Sequence, residues 1–556
     1  MKTKKFFKLS MLAALAVTAL QVNAASVDAN AAKGVASTFL KHHVTAKNGM
    51  LNAPAMGDLS LVHAEPSAAV VGANDYYAFN IKGGGFIIVA GEDRAARVLG
   101  YSDKGSLDFN HLPYGLQGLL NGYKQEMEFL LSYTADDLVI VEPKLAATAG
   151  VEPLIRTTWG QELPYCLQCP MKNGEYCVVG CIATAMAQVM YYWRYPATSP
   201  AVSSYYCYDI GQTVPALPET TFNYNLMLPS YCHWDWDNSE LIQDTYTDEQ
   251  AQEVAKLSRY CGQAVDMGYS PEGSGAYVFA QLGAMQDFGY SDDAQDVTRS
   301  GWWGTPYYST EEWEAMVKEE LDQRHPILYS ATDPAEGGHA FICDGYNAEG
   351  LLHFNFGWYG TCDGWYVSTA LNMTHRSGDY LQFNSSHEML LGVGPPNYCV
   401  IQADALTAPG ELLVLGETLD VEASNVTVFS NAQDINLIFT INDLTGRRLA
   451  MSEAVNVAPE FEQGSTVAGG IVLPTELPTG TYNVQFQYYI GISARLTNLI
   501  QCESSQLHVL GHLAKYGAPF TIDDVTVAMD NLLERTSPVL TIDDITGLID
   551  LLLSRK

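Results

Sequence analysis

The sequence predicts a multidomain α+β protein, and three observations carry that expectation. Strand-like and amphipathic helical runs follow one another through the N-terminal and central parts of the chain. Alternating apolar and polar runs, broken by Pro and Gly, then dominate 405–511. Finally, the length of 556 residues exceeds a single core when domains run to about 100–200 residues.

The elements follow in order. Lys2, Lys4, Lys5 and Lys8 precede an apolar run from Leu9 to Leu20, and Val22 and Ala24 occupy the −3 and −1 positions of a small-residue cleavage site. That is the pattern of a secretory signal peptide over 1–24, too short in its apolar part to span a bilayer. Within 25–147, Tyr76–Ile81 and Phe86–Ala90 read as a hairpin turned by Gly83, Gly84 and Gly85. An amphipathic helix from Leu116 to Leu131 completes a small α+β unit. Leu145–Gly150 is small, uncharged and suited to an exposed, cleavable linker. The segment 148–404 is dense in aromatics and cysteines, with a helix at 181–193 and strands at 339–346, 351–356 and 364–367. The runs in 405–511 predict an immunoglobulin-like β-sandwich. In 512–556 the repeats beginning Thr521-Ile-Asp-Asp and Thr541-Ile-Asp-Asp each fit a helix capping box and open an apolar-periodic segment, so a pair of short helices is expected.

Composition narrows the function classes. At 47% hydrophobic the chain has ample material for packed cores. A formal net charge of −34 would repel phosphate backbones, which disfavours nucleic acid and anionic membranes as partners. The chain has eleven cysteines. In an exported protein an odd number suggests disulfides with one reactive thiol left over. Cys166, Cys169, Cys177 and Cys181 fall as C-x2-C-x7-C-x3-C, a spacing open to zinc. Export favours a disulfide from Cys166 or Cys169 to a neighbour instead, so no metal and no cofactor is expected.

Four stretches carry chemistry. Cys181 stands at the start of the 181–193 helix, where unpaired N–H groups and the positive end of the dipole favour a thiolate. His339 follows Gly337 and Gly338 and opens an apolar strand, and sequence-distant Cys and His are the usual arrangement for a thiol nucleophile with its base. Asn355 is a candidate to orient the imidazole, with Trp358 shielding the pair from water. Gln161, upstream of the thiol, could share an oxyanion hole with the Cys181 amide.

Taken together, W-x-Q-x-x-P-Y at 159–165, G-C-I-A-T-A-M-A-Q-V-M at 180–190, Val265-Asp-Met-Gly-Tyr, G-G-H-A-F at 337–341 and N-x-G-W at 355–358 resemble the streptopain family of bacterial cysteine proteases. The resemblance implies a papain-like two-lobed catalytic domain with Cys181 as nucleophile, His339 as base and Gln161 as oxyanion donor. It also implies that Ser274 and Gly338 bind substrate backbone. Phe86–Ala90 through Leu99-Gly-Tyr-Ser looks like the family's prodomain, so 25–147 is expected to block the cleft until removed. Phe356 stands where the family has Trp, and the family's glycine-rich loop is missing from 373–392. The terminal repeats resemble a degenerate dockerin-type module without its calcium loop. The expected protein is a secreted zymogen of a cysteine endopeptidase acting on proteins or peptides, with its own prodomain as inhibitor and its C-terminal modules available for surface or partner attachment. Another Cys–His hydrolase, such as a cell-wall amidase or transglutaminase-like enzyme, and a catalytically silent surface-binding protein remain the alternatives.

Overall fold

The computed structural model describes residues 26–48, 54–132, 138–140, 150–235, 240–299, 307–333, 337–369, 373–375, 387–396, 398–430, 434–457, 461, 464–491, 497–498, 505–534 and 540–554. The leader and residues 145–149 of the linker lie outside these.

The N-terminal unit is a four-stranded antiparallel meander between two helices, Ala29–Asn48 and Tyr114–Ser132. The glycine-turned hairpin pairs Asn74–Ile81 with Phe86–Ala90. Period-two alternation serves both faces of the second strand. Ile87 and Val89 pack with Ala32, Ala36 and Leu40, whereas Phe86, Ile88 and Ala90 join the core of Leu116, Leu119, Leu120 and Tyr123. Buried on both sides, the strand reads as a continuous apolar run.

This unit does not stand apart from the central domain. Strand Val98–Ser102 pairs with Gly364–Tyr366 through Tyr101 opposite Trp365 and Gly100 opposite Tyr366. The result is one ten-stranded sheet, in spatial order Leu59–Pro66, Asn74–Ile81, Phe86–Ala90, Val98–Ser102, Gly364–Tyr366, Leu352–Asn355, Gly337–Tyr346, Ile327–Asp333, His387–Leu391 and Gln295–Thr298. Side chains reinforce the seam. Tyr123 Oη donates to the Val367 carbonyl at 2.6 Å, Ser102 Oγ to the Asp363 carbonyl at 2.8 Å, and Thr369 Oγ1 to the buried Glu126 carboxylate at 2.8 Å.

Against this sheet sits the helical lobe of the central domain. Helix Cys181–Trp193 is buried along almost its whole length, and each apolar side chain so removed from water contributes about 1.5–3 kcal/mol. It ends at Arg194, whose left-handed φ of 52° lets its N–H bond the Met190 and Tyr191 carbonyls just before Pro196. Helix Asp248–Ala264 packs beside it, opened by a capping box in which Thr247 Oγ1 accepts from the Gln250 N–H.

Toward the C-terminus, two antiparallel sheets enclose a separate core and form a β-sandwich whose strands run from Cys399 to Tyr516, slightly beyond the 405–511 expected. Phe439 and Phe486 stack within it at 4.6 Å. Helices Ile522–Glu534 and Ile542–Ser554 bury Val525, Ala528, Ile545 and Leu548 against Val414 and Leu513. The repeated Asp explains the duplication. Asp524 takes hydrogen bonds from Thr521 and Lys515, and Asp544 takes them from Thr541 and the His512 N–H, so each capping carboxylate also ties its helix to the last hairpin of the sandwich.

The cysteine expectation needs correction. All the described cysteines carry free thiols, Cys166, Cys169 and Cys177 included. They lie in the apolar core, where burial pushes the Cys166 and Cys177 thiols up to about 11 and leaves them inert. Export as a general circumstance does not outweigh this local packing, in which a thiol serves as a small hydrophobe. Among the described residues, no group of three His, Cys, Asp or Glu side chains is placed to hold a metal, and no helix is long and apolar enough to cross a membrane.

Candidate active site

The helix start is set by Gly180, whose φ of 89° turns the chain into the helix. A Cβ there would also fall 2.7 Å from the tip of the Met267 side chain, which could shift, so it is the positive φ that calls for glycine. Cys181 is therefore the first helical residue, its partly exposed thiol facing a cleft of about 550 Å³. His339 arrives from the opposite lobe on strand Gly337–Tyr346, fixed by pairing with Ala331. The next residue helps too, since the Ala340 N–H points at Cys181 Sγ from 3.5 Å.

These neighbours decide the thiol's state. Burial opposes ionisation of Cys181, but the charge and hydrogen bond of His339, with the amides of Ala340 and Ile182, outweigh it and hold the pKa below that of an ordinary thiol. Cys181 stands apart here from Cys166, Cys169, Cys177, Cys232, Cys261, Cys343, Cys362 and Cys399, whose thiols burial raises. A depressed thiol beside an imidazole is the condition for a nucleophile at neutral pH.

The other sequence candidates are distributed around this pair. Gln161, Ser274, Gly338 and Trp358 all line the cleft. The Gln161 carbonyl accepts from the Val179 N–H at 2.9 Å, which ties its loop to the residue two before the thiol. Ser274 Oγ donates to the Val178 carbonyl at 2.7 Å, so its hydroxyl pins the cleft wall.

Asn355, the candidate to orient the imidazole, has its amide in other hydrogen bonds. Its Oδ1 accepts from Gln188 Nε2 and the Gly357 N–H, both at 3.1 Å. Its Nδ2 donates to the Thr157 carbonyl at 2.8 Å. The amide is spent tying helix Cys181–Trp193 to the sheet, since Gln188 lies two turns along from Cys181. His339 Nε2 is buried with no hydrogen-bond partner among the described residues. Phe356, the departure noted in the sequence, packs its ring 5.2 Å from Phe341 and 5.7 Å from Tyr366, and so supports the histidine strand by packing.

Two further residues escaped the sequence reading. Tyr114, at the first turn of the N-terminal unit's second helix, reaches into the cleft, with its ring 5.9 Å from that of His339 and edge-on to Trp358 at 5.8 Å. Gly115 brings the same helix so close that a Cβ would sit 2.8 Å from Phe356, 3.0 Å from Phe341 and 3.1 Å from His339. Nothing local in a Tyr-Gly pair signals a partner more than two hundred residues away.

Residues 159–366 match the Peptidase C10 family, and residues 24–127 match the Spi protease inhibitor family. Streptopain from Streptococcus pyogenes is 28% identical over 392 residues, which is 66% of this chain and 91% of that protein. The thiol protease/hemagglutinin PrtT of Porphyromonas gingivalis is 28% identical over 330 residues, covering 56% of this chain and 36% of the relative. Among solved structures, a fragment of Prevotella intermedia prointerpain A shares 28% identity with a TM-score of 0.48, covering 60% of this chain and 99% of its own. Sequence likeness thus indicates a cysteine-type peptidase preceded by an inhibitor-like unit.

Proposed function

We propose that the chain is a secreted cysteine endopeptidase made as a zymogen, in which His339 takes the Cys181 proton and the resulting thiolate attacks a peptide carbonyl. Gln161 and the Cys181 amide stabilise the oxyanion, support worth about 10²–10³ in rate for a single donor. The amine then leaves with the proton from His339, and water hydrolyses the thioester to return free enzyme and an acid product. Gly338 and the Ser274 main chain hold the substrate backbone, while Trp358 screens the pair. The leader at 1–24 directs export, and the sandwich and helical tail attach the enzyme to a surface or partner. The observation that carries this reading is the depressed Cys181 thiol beside His339 in an open cleft. Iodoacetamide labelling of the mature protein, read by mass spectrometry, should place the first label on Cys181 and a new N-terminus between residues 133 and 149. Preferential labelling of another thiol would remove the nucleophile assignment.

In this reading the N-terminal unit inhibits by filling the cleft with Tyr114 and wedging Gly115 beneath the histidine ring. Gly115→Leu forces a side chain into that contact, and such overpacking costs about 1–3 kcal/mol, which corresponds to roughly 5- to 150-fold weaker docking. The precursor should mature faster by a factor in that range when a fixed trace of active enzyme is added. An unchanged maturation rate would mean that this contact does not hold the unit in place.

A further inference from the structure

One wall of the cleft ends in two rings that the protein leaves in water. Tyr277 is 74% exposed and Phe279 68% exposed, yet they stack on each other at 5.2 Å and 18° between planes. Tyr277 and Val278 line the same cleft as Cys181 and His339. Many large aromatics of this domain are buried, Trp159, Tyr165 and Trp313 among them, and of the exposed ones Tyr206 and Tyr208 lie away from the cleft. The wall is also held rigidly. Gly268 and Gly275 exchange main-chain hydrogen bonds of 2.8 and 3.1 Å, Ser274 is tied to the Val178 carbonyl, and the Tyr277 carbonyl accepts from the Ala280 N–H at 3.0 Å. Exposed rings on fixed backbone beside a reacting centre lose little conformational freedom when they bind.

We infer that Tyr277 and Phe279 form a shelf that selects an aromatic side chain of the protein substrate close to the scissile bond. A planar side chain laid against the shelf gains an offset or edge-on ring contact and removes two exposed rings from water. The shelf adds a ring surface to a cleft whose lining at Gly338 offers no side chain of its own. The inference rests on the endopeptidase reading above and deepens it.

The test is cleavage-site profiling of a denatured protein mixture by three enzymes, namely wild type, Tyr277→Ala/Phe279→Ala and Tyr277→Leu/Phe279→Leu. Each is matured from the full-length chain, with wild-type enzyme in trans for any variant that does not mature itself and is then purified away by tag. A Tyr206→Ala/Tyr208→Ala variant serves as control, because that pair is also exposed and in ring contact but does not line the cleft. Wild type and control should show Phe, Tyr and Trp enriched at one position near the cut. The double alanine variant should lose that enrichment and drop about tenfold in kcat/KM on an aromatic reporter peptide, the scale of one lost ring contact plus its burial. It should keep its rate on a matched peptide without the aromatic, and the leucine variant should fall between. If wild type cleaves but the profiles superimpose, or if no aromatic is enriched, the shelf is refuted while the peptidase reading stands. If wild type does not cleave at all, the underlying reading fails first.

Discussion

Cys181→Ala is expected to give a precursor that stays full length and a mature form, produced by wild-type enzyme in trans, that does not digest casein. The drop in kcat/KM should be on the order of 10⁶-fold, the scale seen when one member of a nucleophile–base unit is removed. Folding should be spared. The thiol faces the cleft, the Ala340 N–H meets it only at a long 3.5 Å, the Ile182 N–H is its other main-chain partner, and alanine suits a first helical turn. A normal melting temperature with no activity is therefore the expected pair of results. Because nucleophile and base act as a unit, adding His339→Ala to this variant should cost almost nothing more. If the Cys181→Ala precursor matures unaided at the wild-type rate, another residue is the nucleophile.

How much of this could be read from residues alone varies with the range of the interaction. The nucleophile helix was legible because its apolar spacing, the glycine before it and the Pro after it are all local, and the expected 181–193 is the span observed. The strand bearing His339 was legible for the same reason, with only its start extended to Gly337. The role of Asn355 was not legible. Its amide is claimed by Thr157 and Gln188, residues 198 and 167 positions away, and no local pattern declares such a competition. Cysteine spacing misled because it says nothing of depth. Cys166 and Cys169 sit close enough in sequence to suggest a bridge, yet each is enclosed by the aromatic core around Tyr165 and Trp159. The seam between the N-terminal unit and the catalytic sheet was the largest feature beyond reach. Edge pairing of Tyr101 with Trp365 joins two segments that the sequence presents as separate domains, and edge hydrogen bonds leave no compositional trace.

Removing the imidazole is the second large effect. His339→Ala should lower kcat/KM by about 10⁴-fold, the upper end of what a positioned acid–base group supplies, because the same ring also stabilises the thiolate. The two losses can be separated by alkylation kinetics, which report the thiolate without needing peptide hydrolysis. In wild type, burial raises the Cys181 pKa and the His339 charge and hydrogen bond more than reverse that, giving a net fall. Without His339, burial is opposed only by the Ala340 and Ile182 amides and the helix end, so the pKa moves upward past the ordinary thiol value of about 8.5. The iodoacetamide rate of the variant should therefore be low throughout the neutral range and rise only in alkali. Wild type should stay reactive to lower pH than the variant, until acid returns the proton to the sulfur. A pH profile unchanged by His339→Ala would show that the helix end alone acidifies the sulfur, and His339 would then keep a part in proton transfer without one in forming the nucleophile.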